Sequence, residues 1–371
     1  VNDVNAVKQW AGITFGATFM VMALFSPIWG RAADRFGRKP MLLRASLGLA
    51  IVVGSMSFVD NVYQLTGLRT LQGTISGFYA ASVTLVATQT PRERVGWALG
   101  TLSTGQVAGM LLGPLLGGYF AGIFGLRYQF LLIGCLQLAA FLASLLFVRE
   151  NFIPAEESTM SIRQVWQKIP DTEAVAAMFV TTFMLQLALM SIQPIITVYV
   201  SQLEEDTAHI ALLAGVAFAA TGLASVLAAP GLGRLADRLG PLRVLVVALI
   251  AAGILFIPQA FVANAWQLIG LRFLVGIATA GLLPSINALL KQSIPDGIAG
   301  SVFGYNQSAQ FMGSFAGAVL GGFLAANLGI RYVFYFTSVL LLLNAAWVYK
   351  MLCAKLAVKV WSPLKYLDRD K

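Results

Sequence analysis

Two short charged segments, 203 residues apart, interrupt the long apolar runs of this chain in the same way. The first, residues 30–40, reads GRAADRFGRKP, and the second, residues 233–243, reads GRLADRLGPLR. Each lies between apolar runs of roughly 20 residues, the length that an α-helix needs to cross the hydrocarbon core of a bilayer. The pattern predicts an all-α integral membrane protein built from two related halves, each with a charged hairpin at the same place.

The composition supports membrane insertion of the whole chain. Hydrophobic residues make up 58% of it and charged residues only 11%, whereas about 25% of a soluble protein is charged. Transmembrane strands would give short alternating segments instead of long apolar runs. We predict eleven spans, at residues 8–29, 41–59, 64–88, 97–122, 128–148, 175–199, 210–232, 243–262, 266–289, 301–324 and 332–352.

The basic residues are distributed very unevenly between the predicted loops. Of the 25 Lys and Arg residues, 20 lie in alternate loops and the tail and three on the opposite side. By the positive-inside rule, the hairpins, the central loop and the C-terminus are cytoplasmic. The net charge of +9 is therefore an orientation signal, and we expect no nucleic acid partner.

The register between the halves predicts a further span before residue 1. Arg69 and Gly73 match Arg272 and Gly276 at the same offset of 203 residues. The second half has six predicted spans and the first has five, and the counterpart of 175–199 falls before residue 1. A signal peptide is the alternative way to place residue 1 outside, although it would not complete the repeat.

The central loop predicts a short helix. Ile162, Val165, Trp166 and Ile169 recur at helical spacing, which is typical of an amphipathic helix on the cytoplasmic interface. A loosely ordered linker is the alternative. The predicted divisions are the first half at 1–148, the linker at 149–174, the second half at 175–353 and a basic tail at 354–371.

Few residues suit catalysis or metal binding. Cys135 and Cys353 lie in or at the end of spans, and His209, the single histidine, lies in an outer loop. We expect no metal, no cofactor and no enzymatic activity, because no nucleophile–base set or phosphate loop is present.

Three motifs carry a family resemblance. The first hairpin resembles the hairpin signature of the major facilitator superfamily, and residues 69–73 resemble its fourth-span signature. A glycine–proline run resembles the fifth-span signature of its drug:proton antiporters. That run comprises Gly105, Gly109, Gly113, Pro114, Gly117 and Gly118. The resemblance implies a fold of two six-helix halves, transport by alternating access and protons as the coupling ion.

The first hairpin is the predicted gate. Its glycines, Gly30 and Gly37, suit a tight turn, and Asp34 can pair with an arginine or a helix N-terminus. In the family, the equivalent aspartate docks on the cytoplasmic start of the eleventh span, here about residues 300–304, and releases it on inward opening. The remaining gate residues, Arg35, Arg38 and Lys39, fit this latch or topology alone equally well.

The second hairpin is a weaker copy of the first. It keeps Gly233, Asp237, Arg238 and Gly240, but Pro241 and Leu242 replace the Arg–Lys pair. We expect it to be mostly structural.

The glycines of the fifth-span run predict close helix packing. Positions 105, 109, 113 and 117 share one helix face, which allows another backbone to approach. Pro114 frees a carbonyl in the preceding turn and permits a kink. Plain helix packing explains the glycines alone, whereas the resemblance implies that this span seals the cavity between the halves and favours export.

Charge relay candidates are Asp34, Arg69 and Gln72. By the resemblance, Arg69 lies near the proton path, supported by Gln72 one turn later; the alternative is that Arg69 extends to the outer interface. None of the 16 acidic residues lies in the middle of a span. Either Asp34 and nearby groups carry protons, or the acid is on the missing span, or transport is not proton-coupled.

Polar or aromatic side chains within apolar spans are the candidates for substrate binding at the midplane. They are Tyr79, Gln186, Gln193, Asn287, Asn306, Gln310 and Phe311. Such a cavity suits amphipathic, chemically varied compounds. We expect a monomeric efflux transporter of a bacterial plasma membrane; the alternatives are an exporter of one sugar or amino acid derivative and a non-transporting membrane sensor.

Overall fold

The computed structural model describes residues 4–91, 94–152, 162–204, 207–295 and 298–361. These residues form α-helices joined by short turns, with 3₁₀ turns at Met56–Phe58 and Gln193–Ile195. The helices are α1 (Val4–Phe36), α2 (Arg38–Ser55), α3 (Val62–Ile75), α4 (Phe78–Gln89), α5 (Val95–Phe124), α6 (Leu126–Phe147), α7 (Ile162–Gln167), α8 (Thr172–Ile192), α9 (Ile196–Leu203), α10 (Thr207–Leu239), α11 (Pro241–Gln259), α12 (Ala265–Thr279), α13 (Leu282–Gln292), α14 (Ala299–Asn327) and α15 (Ile330–Trp361).

Ten helical segments within the described ranges are long and apolar enough to cross a membrane. They match ten of the eleven predicted spans. The third predicted span, 64–88, is a broken helix: α3 and α4 have 14 and 12 residues and meet at Ser76 and Gly77. Gly77 has a φ of 123°, which a residue with a Cβ atom rarely adopts. The span between residues 266 and 289 also has a break, at Ala280 and Gly281 between α12 and α13.

The repeat is visible where α3 and α12 begin. The Asn61 side chain accepts a hydrogen bond from the Gln64 backbone N–H at 2.9 Å, and the Gln64 side chain accepts one from the backbone N–H of Asp60 at 2.9 Å. This reciprocal capping satisfies backbone donors that the first helical turn leaves open. Asn264 and Gln267 make the same arrangement 203 residues later.

Matching glycines also bring matching helices together. A methyl group on Gly73 of α3 would collide with the Thr18 carbonyl of α1. In the second half, a methyl group on Gly276 of α12 would collide with the Thr221 carbonyl of α10. The sequence repeat is therefore a repeat of backbone contacts.

The halves meet along two helix pairs. α1 of the first half packs against α14 of the second, and α5 of the first packs against α10 of the second. Under the repeat, α1 corresponds to α10 and α5 to α14, so each pair is the copy of the other.

The linker helix is short and lies against protein. Helix α7 has six residues. Val165 and Ile169 are buried in the hydrophobic core of the second half, and the Trp166 ring lies 6.3 Å from that of Phe179. The apolar face of this helix packs on protein, and its position at the membrane interface stays a prediction. Residues 153–161 of the linker and 362–371 of the tail lie outside the described residues.

Candidate functional site

Helices α1 and α14 are in backbone contact at one end of the molecule. A methyl group on Gly12 would collide with the Ala318 carbonyl and lie 3.0 Å from the Cα of Gly322. A methyl group on Gly322 would lie 2.7 Å from the Lys8 carbonyl. Because real Cβ atoms do not approach backbone this closely, the contact depends on glycine at both positions. We call this the first seam.

Helices α5 and α10 form the copy of that contact, which we call the second seam. A methyl group on Gly215 would collide with the Pro114 carbonyl, and one on Gly118 would lie 2.5 Å from the Ala211 carbonyl. Gly215 and Ala211 are the repeat equivalents of Gly12 and Lys8, and Pro114 and Gly118 are those of Ala318 and Gly322. The two seams therefore use the same four positions in exchanged halves.

The opposite ends of α1 and α14 are open. Gly30 of α1 and Gly304 of α14 lie, by helical spacing, on the same faces as Gly12 and Gly322. An added methyl group at either would meet no described atom within 4 Å outside its own stretch of helix. These glycines lie towards the hairpins, whereas the seams lie at the far ends. Along α1 and α14, the halves thus approach closely at one end and leave space at the other.

The glycine row of the fifth-span motif is largely uncovered, contrary to the prediction of close packing. Methyl groups on Gly105, Gly109 and Gly113 would meet no described atom within 4 Å, and one on Gly117 would meet only the Gln129 side chain. Of this motif, Gly118 makes the close helix contact.

The equivalent row in the second half is covered by α8. Methyl groups on Gly313 and Gly317 would collide with the carbonyls of Phe183 and Leu187.

Pro114 lies inside the continuous helix α5. The carbonyl that a proline deprives of its helical donor is four residues earlier, here that of Met110. This carbonyl lies 3.7 Å from where a Cβ atom on Gly222 of α10 would be. The proline therefore places a weakened turn of α5 against the other half.

The first hairpin turns at one glycine only. Gly37 has a φ of 97°, but Gly30 lies within α1, so its predicted role in the turn is wrong. The Glu150 carboxylate accepts the backbone N–H groups of Arg38 and Lys39 at 2.8 and 2.7 Å. It thus stabilises the N-terminus of α2, as an anion does at the positive end of a helix.

Sequence reasoning missed Glu150 because the residue lies 112 positions from Arg38. The Lys39 ammonium group donates to the Leu145 carbonyl at 3.3 Å, and the Arg35 guanidinium lies 5.4 Å from the centre of the Phe36 ring. The side chain of Asp34 lies outside the described part of the structure, so its docking near residues 300–304 stays a prediction.

The second hairpin has the same turn, but its turn glycine has no described neighbour like Glu150. Gly240 has a φ of 88°, and Gly233 lies within α10. A methyl group on Gly240 would meet no described atom within 4 Å, whereas one on Gly37 would lie 2.9 Å from Glu150. Arg238 is exposed, and the Asp237 side chain is outside the described part.

The structure brings Arg69 and Gln72 together as predicted. The Arg69 guanidinium donates to the Gln72 side-chain oxygen at 3.2 Å and lies 6.0 Å from the centre of the Phe130 ring. Its repeat equivalent, Arg272, is only 5% exposed, and its Nε has no hydrogen-bond partner among the described residues. Their roles in transport stay predictions.

Two side chains outside the motifs bind the backbone at the break between α3 and α4. The Arg44 guanidinium lies 3.5 Å from the centre of the Trp29 ring and donates to the Ile75 and Ser76 carbonyls, both at 3.1 Å. Trp29 donates its indole N–H to the Thr74 carbonyl at 2.6 Å. We call Trp29 and Arg44 the clamp; it satisfies carbonyls at the negative end of α3.

Three of the substrate candidates lie where α8 meets α14. Gln186 is 8% exposed and packs at Gly313, while Asn306 is 1% exposed. Asn306 and Gln310 share with Gly313 the face of α14 that contacts α8, by helical spacing. Gln310 also accepts a hydrogen bond from the Gln307 side chain at 3.3 Å.

The other candidates are dispersed. Phe311 lies on the α14 face that includes Phe315 and Ala318 in the first seam, Tyr79 and Asn287 are exposed on α4 and α13, and Gln193 lies in a 3₁₀ turn. Within the described residues, no three His, Cys, Asp or Glu side chains cluster as metal ligands would.

Sequence comparison relates the chain to membrane transporters. The family model of the Major Facilitator Superfamily matches residues 2–213 and 178–357. The "Multidrug resistance protein MdtG" of Salmonella paratyphi C is 44% identical over 346 residues, which are 93% of this chain and 86% of that protein. The protein of the same name from Dickeya zeae is 45% identical over 342 residues, covering 92% and 84% of the two chains.

Solved transporters share the fold at low sequence identity. The human organic anion transporter MFSD10 superposes with a TM-score of 0.66 at 17% identity, over 91% of this chain and 83% of that one. The nucleoside transporter NupG superposes with a TM-score of 0.72 at 12% identity, over 94% and 90%.

Proposed function

The chain belongs to the Major Facilitator Superfamily, and we propose that it exports drug-like or amphipathic compounds across a bacterial inner membrane by alternating access. The observation that carries this proposal is the pair of equivalent glycine seams, which close one end of the interface between the halves, while α1 and α14 leave space at the other end. The 44% identity to proteins named for multidrug resistance, over 93% of the chain, supports drug-like substrates.

The charge distribution orients this mechanism in the membrane. The basic hairpins mark the cytoplasmic side, so the seams lie at the outer end and the open end faces the cytoplasm. This is the inward-facing state, ready to receive a substrate. Export follows when the cytoplasmic ends of the halves close and the seams part.

The amides between α8 and α14 are our candidates for orienting the substrate. Gln186, Asn306 and Gln310 supply donors and acceptors in an otherwise apolar region, and Phe311 adds an aromatic face. A binding site that is mostly apolar with a few polar groups accepts varied amphipathic molecules. The same arrangement gives a sugar few of the hydrogen bonds that it needs.

Protons are the proposed coupling ion. One charge moving through 100 mV releases about 2.3 kcal/mol, which sustains a gradient of roughly fiftyfold for a neutral substrate. We assign Asp34 to the cytoplasmic latch, where protonation would weaken its charge interactions, and the Arg69–Gln72 pair to the outer part of the proton path.

We further propose that the open glycine row of α5 is a surface on which a helix docks, as α8 docks on the equivalent row of α14. We keep the predicted linker at 149–174, second half at 175–353 and cytoplasmic tail at 354–371 as part of this proposal. The described first half contains a small buried cluster, Leu42, Ala81 and Leu85, whereas the core of the second half includes many residues of α8.

Two other functions compete with this proposal. Export of one metabolite is favoured if Asn306, whose side-chain oxygen has no described hydrogen-bond partner, accepts a specific donor. A sensor that does not transport is disfavoured by the equivalent seams, since both halves retain the glycines that permit opening and closure. We propose a monomer that transports without catalysing a reaction.

Efflux from lipid vesicles containing the full-length protein tests this function. We expect ethidium to cross faster than in empty vesicles and to accelerate further when a pH gradient is imposed. Equal rates with and without protein refute multidrug transport. Transport that ignores the pH gradient refutes proton coupling and leaves the efflux proposal standing.

A further inference from the structure

An apolar groove lies on the second half, between the cytoplasmic ends of α10 and α12 and the first turns of α11. Its volume is about 420 Å³, and Leu232, Val247, Ala251, Leu274 and Ile277 are among its lining residues. Arg243, at the start of α11, is the charged member of the described lining. The groove thus combines an apolar body with a cationic end.

The groove opens towards the surrounding bilayer. Val247 is 66% exposed and Leu274 is 44% exposed, and both belong to segments apolar enough to span a membrane. An apolar cleft at this depth offers water no hydrogen-bond partners, so an apolar molecule fills it more favourably. The nearest such molecules are the lipids.

The first half has larger side chains at two of the places equivalent to the groove. The first-half equivalents of Leu232 and Val247 are Trp29 and Arg44. These are the clamp, whose stacked indole and guanidinium bind the end of α3. The shorter side chains of Leu232 and Val247 cannot make this arrangement, and the equivalent space stays open.

A second pair of equivalent positions shows the same difference. Ile75 of α3 packs so closely on Gly48 of α2 that a methyl group on Gly48 would collide with it. In the second half these positions are Ala278 and Ala251, and both line the groove. The first half therefore fills with its own side chains a space that is open in the second half.

We propose that this groove binds one acyl chain of an anionic phospholipid from the cytoplasmic leaflet, with the lipid phosphate at Arg243. The acyl chain occupies the place that the apolar part of the clamp has in the first half. The lipid phosphate accepts hydrogen bonds from the guanidinium of Arg243, which is exposed at the interface. Arginine binds phosphate through two parallel hydrogen bonds, and basic groups at this depth attract anionic lipids. Arg238, also exposed, lies in the adjoining hairpin.

Photolabelling of the full-length protein in phosphatidylcholine nanodiscs tests this assignment. Phosphatidylglycerol carrying a diazirine on one acyl chain is added at low mole fraction, and labelled peptides are identified by mass spectrometry. We expect labelling at residues 232–239 and 247–255, and stronger labelling by this probe than by the matching phosphatidylcholine probe.

Two variants fill the groove. Leu232→Trp introduces the first-half residue, and Ala251→Leu fills the space from α11. Each is expected to lower labelling at these peptides about tenfold. This corresponds to the binding free energy lost when about two methylene groups of the acyl chain can no longer be buried. Leu146→Trp, at a position of α6 that is 70% exposed, is the matched control and should leave labelling unchanged.

Variants of Arg243 separate the headgroup from the chain. Arg243→Gln should abolish the preference for phosphatidylglycerol, and Arg243→Lys should retain part of it. Equal labelling by both lipids in the unaltered protein, or unchanged labelling in both filled variants, overturns the proposal. Displacement of the probe by ethidium also overturns it, because the groove would then be a substrate site.

Discussion

A single methyl group at the first seam should open the second. Gly12→Ala places a Cβ atom against the Ala318 carbonyl and 3.0 Å from the Cα of Gly322. The overlap exists only while the outer ends of the halves are closed. If the halves move as rigid bodies, the substitution therefore favours the outward-open state and parts α5 from α10 as well.

The size of this shift follows from the cost of overpacking. An added methyl group in a well-packed contact costs about 1–3 kcal/mol. Applied to the closed state alone, this moves the equilibrium towards opening by roughly 5- to 150-fold at 1.4 kcal/mol per tenfold. The helix preference of alanine over glycine, about 1 kcal/mol, acts in both states and cancels.

Cysteine accessibility reports the opening. Ala211→Cys, on the face of α10 that contacts Gly118 in the second seam, is introduced after Cys135 and Cys353 are replaced by serine. A maleimide that cannot cross the membrane is then added from outside. We expect the labelling rate in Gly12→Ala to rise at least about fivefold.

The matched control is Gly270→Ala, since a methyl group on the exposed Gly270 of α12 would meet no described atom within 4 Å. It gains the same helix preference without a collision. If Gly12→Ala labels no faster than Gly270→Ala, the two seams do not open together and the rigid-body account is wrong.

Two further substitutions test the first hairpin. Glu150→Ala should lower the free energy of unfolding by about 0.5–2 kcal/mol, because two N–H groups of α2 lose their acceptor. Thermal denaturation in detergent measures this, and a loss no larger than that of the partly exposed Glu204→Ala contradicts it. Asp34→Asn should slow ethidium efflux more than Asp237→Asn, since the second hairpin lacks the Arg–Lys pair; equal slowing in vesicles refutes the asymmetric latch.

Apolar length and the internal repeat made most of the fold predictable. Both are local or periodic properties of the sequence, and the offset of 203 residues also identifies Gly12 and Gly215 as equivalents. The break at Gly77 was not predicted, because its apolar surroundings read as one continuous span. The sequence predicts that Gly30 and Gly37 both form the turn of the first hairpin, but only Gly37 has a positive φ.

The contacts around the hairpin needed the folded structure. Glu150 reaches α2 from the far end of the first half, and no local pattern marks such a pairing. Trp29 and Arg44 carried a usable signal, because they are polar or aromatic where the second half has Leu232 and Val247. The differences between the halves at these two positions therefore indicate both the clamp and the groove.

In the proposed transport cycle, the halves rock to expose the substrate site to each side in turn. Pulsed electron–electron double resonance measures the distances between spin labels on the two halves of the full-length protein. One pair of labels is placed at Leu126 and Leu328 near the outer ends, and another at Phe147 and Gln292 near the cytoplasmic ends. All four positions are exposed. On adding ethidium, a population with a longer outer and a shorter cytoplasmic distance should grow. Distances that change in the same direction, or at one end alone, would contradict alternating access by rigid halves.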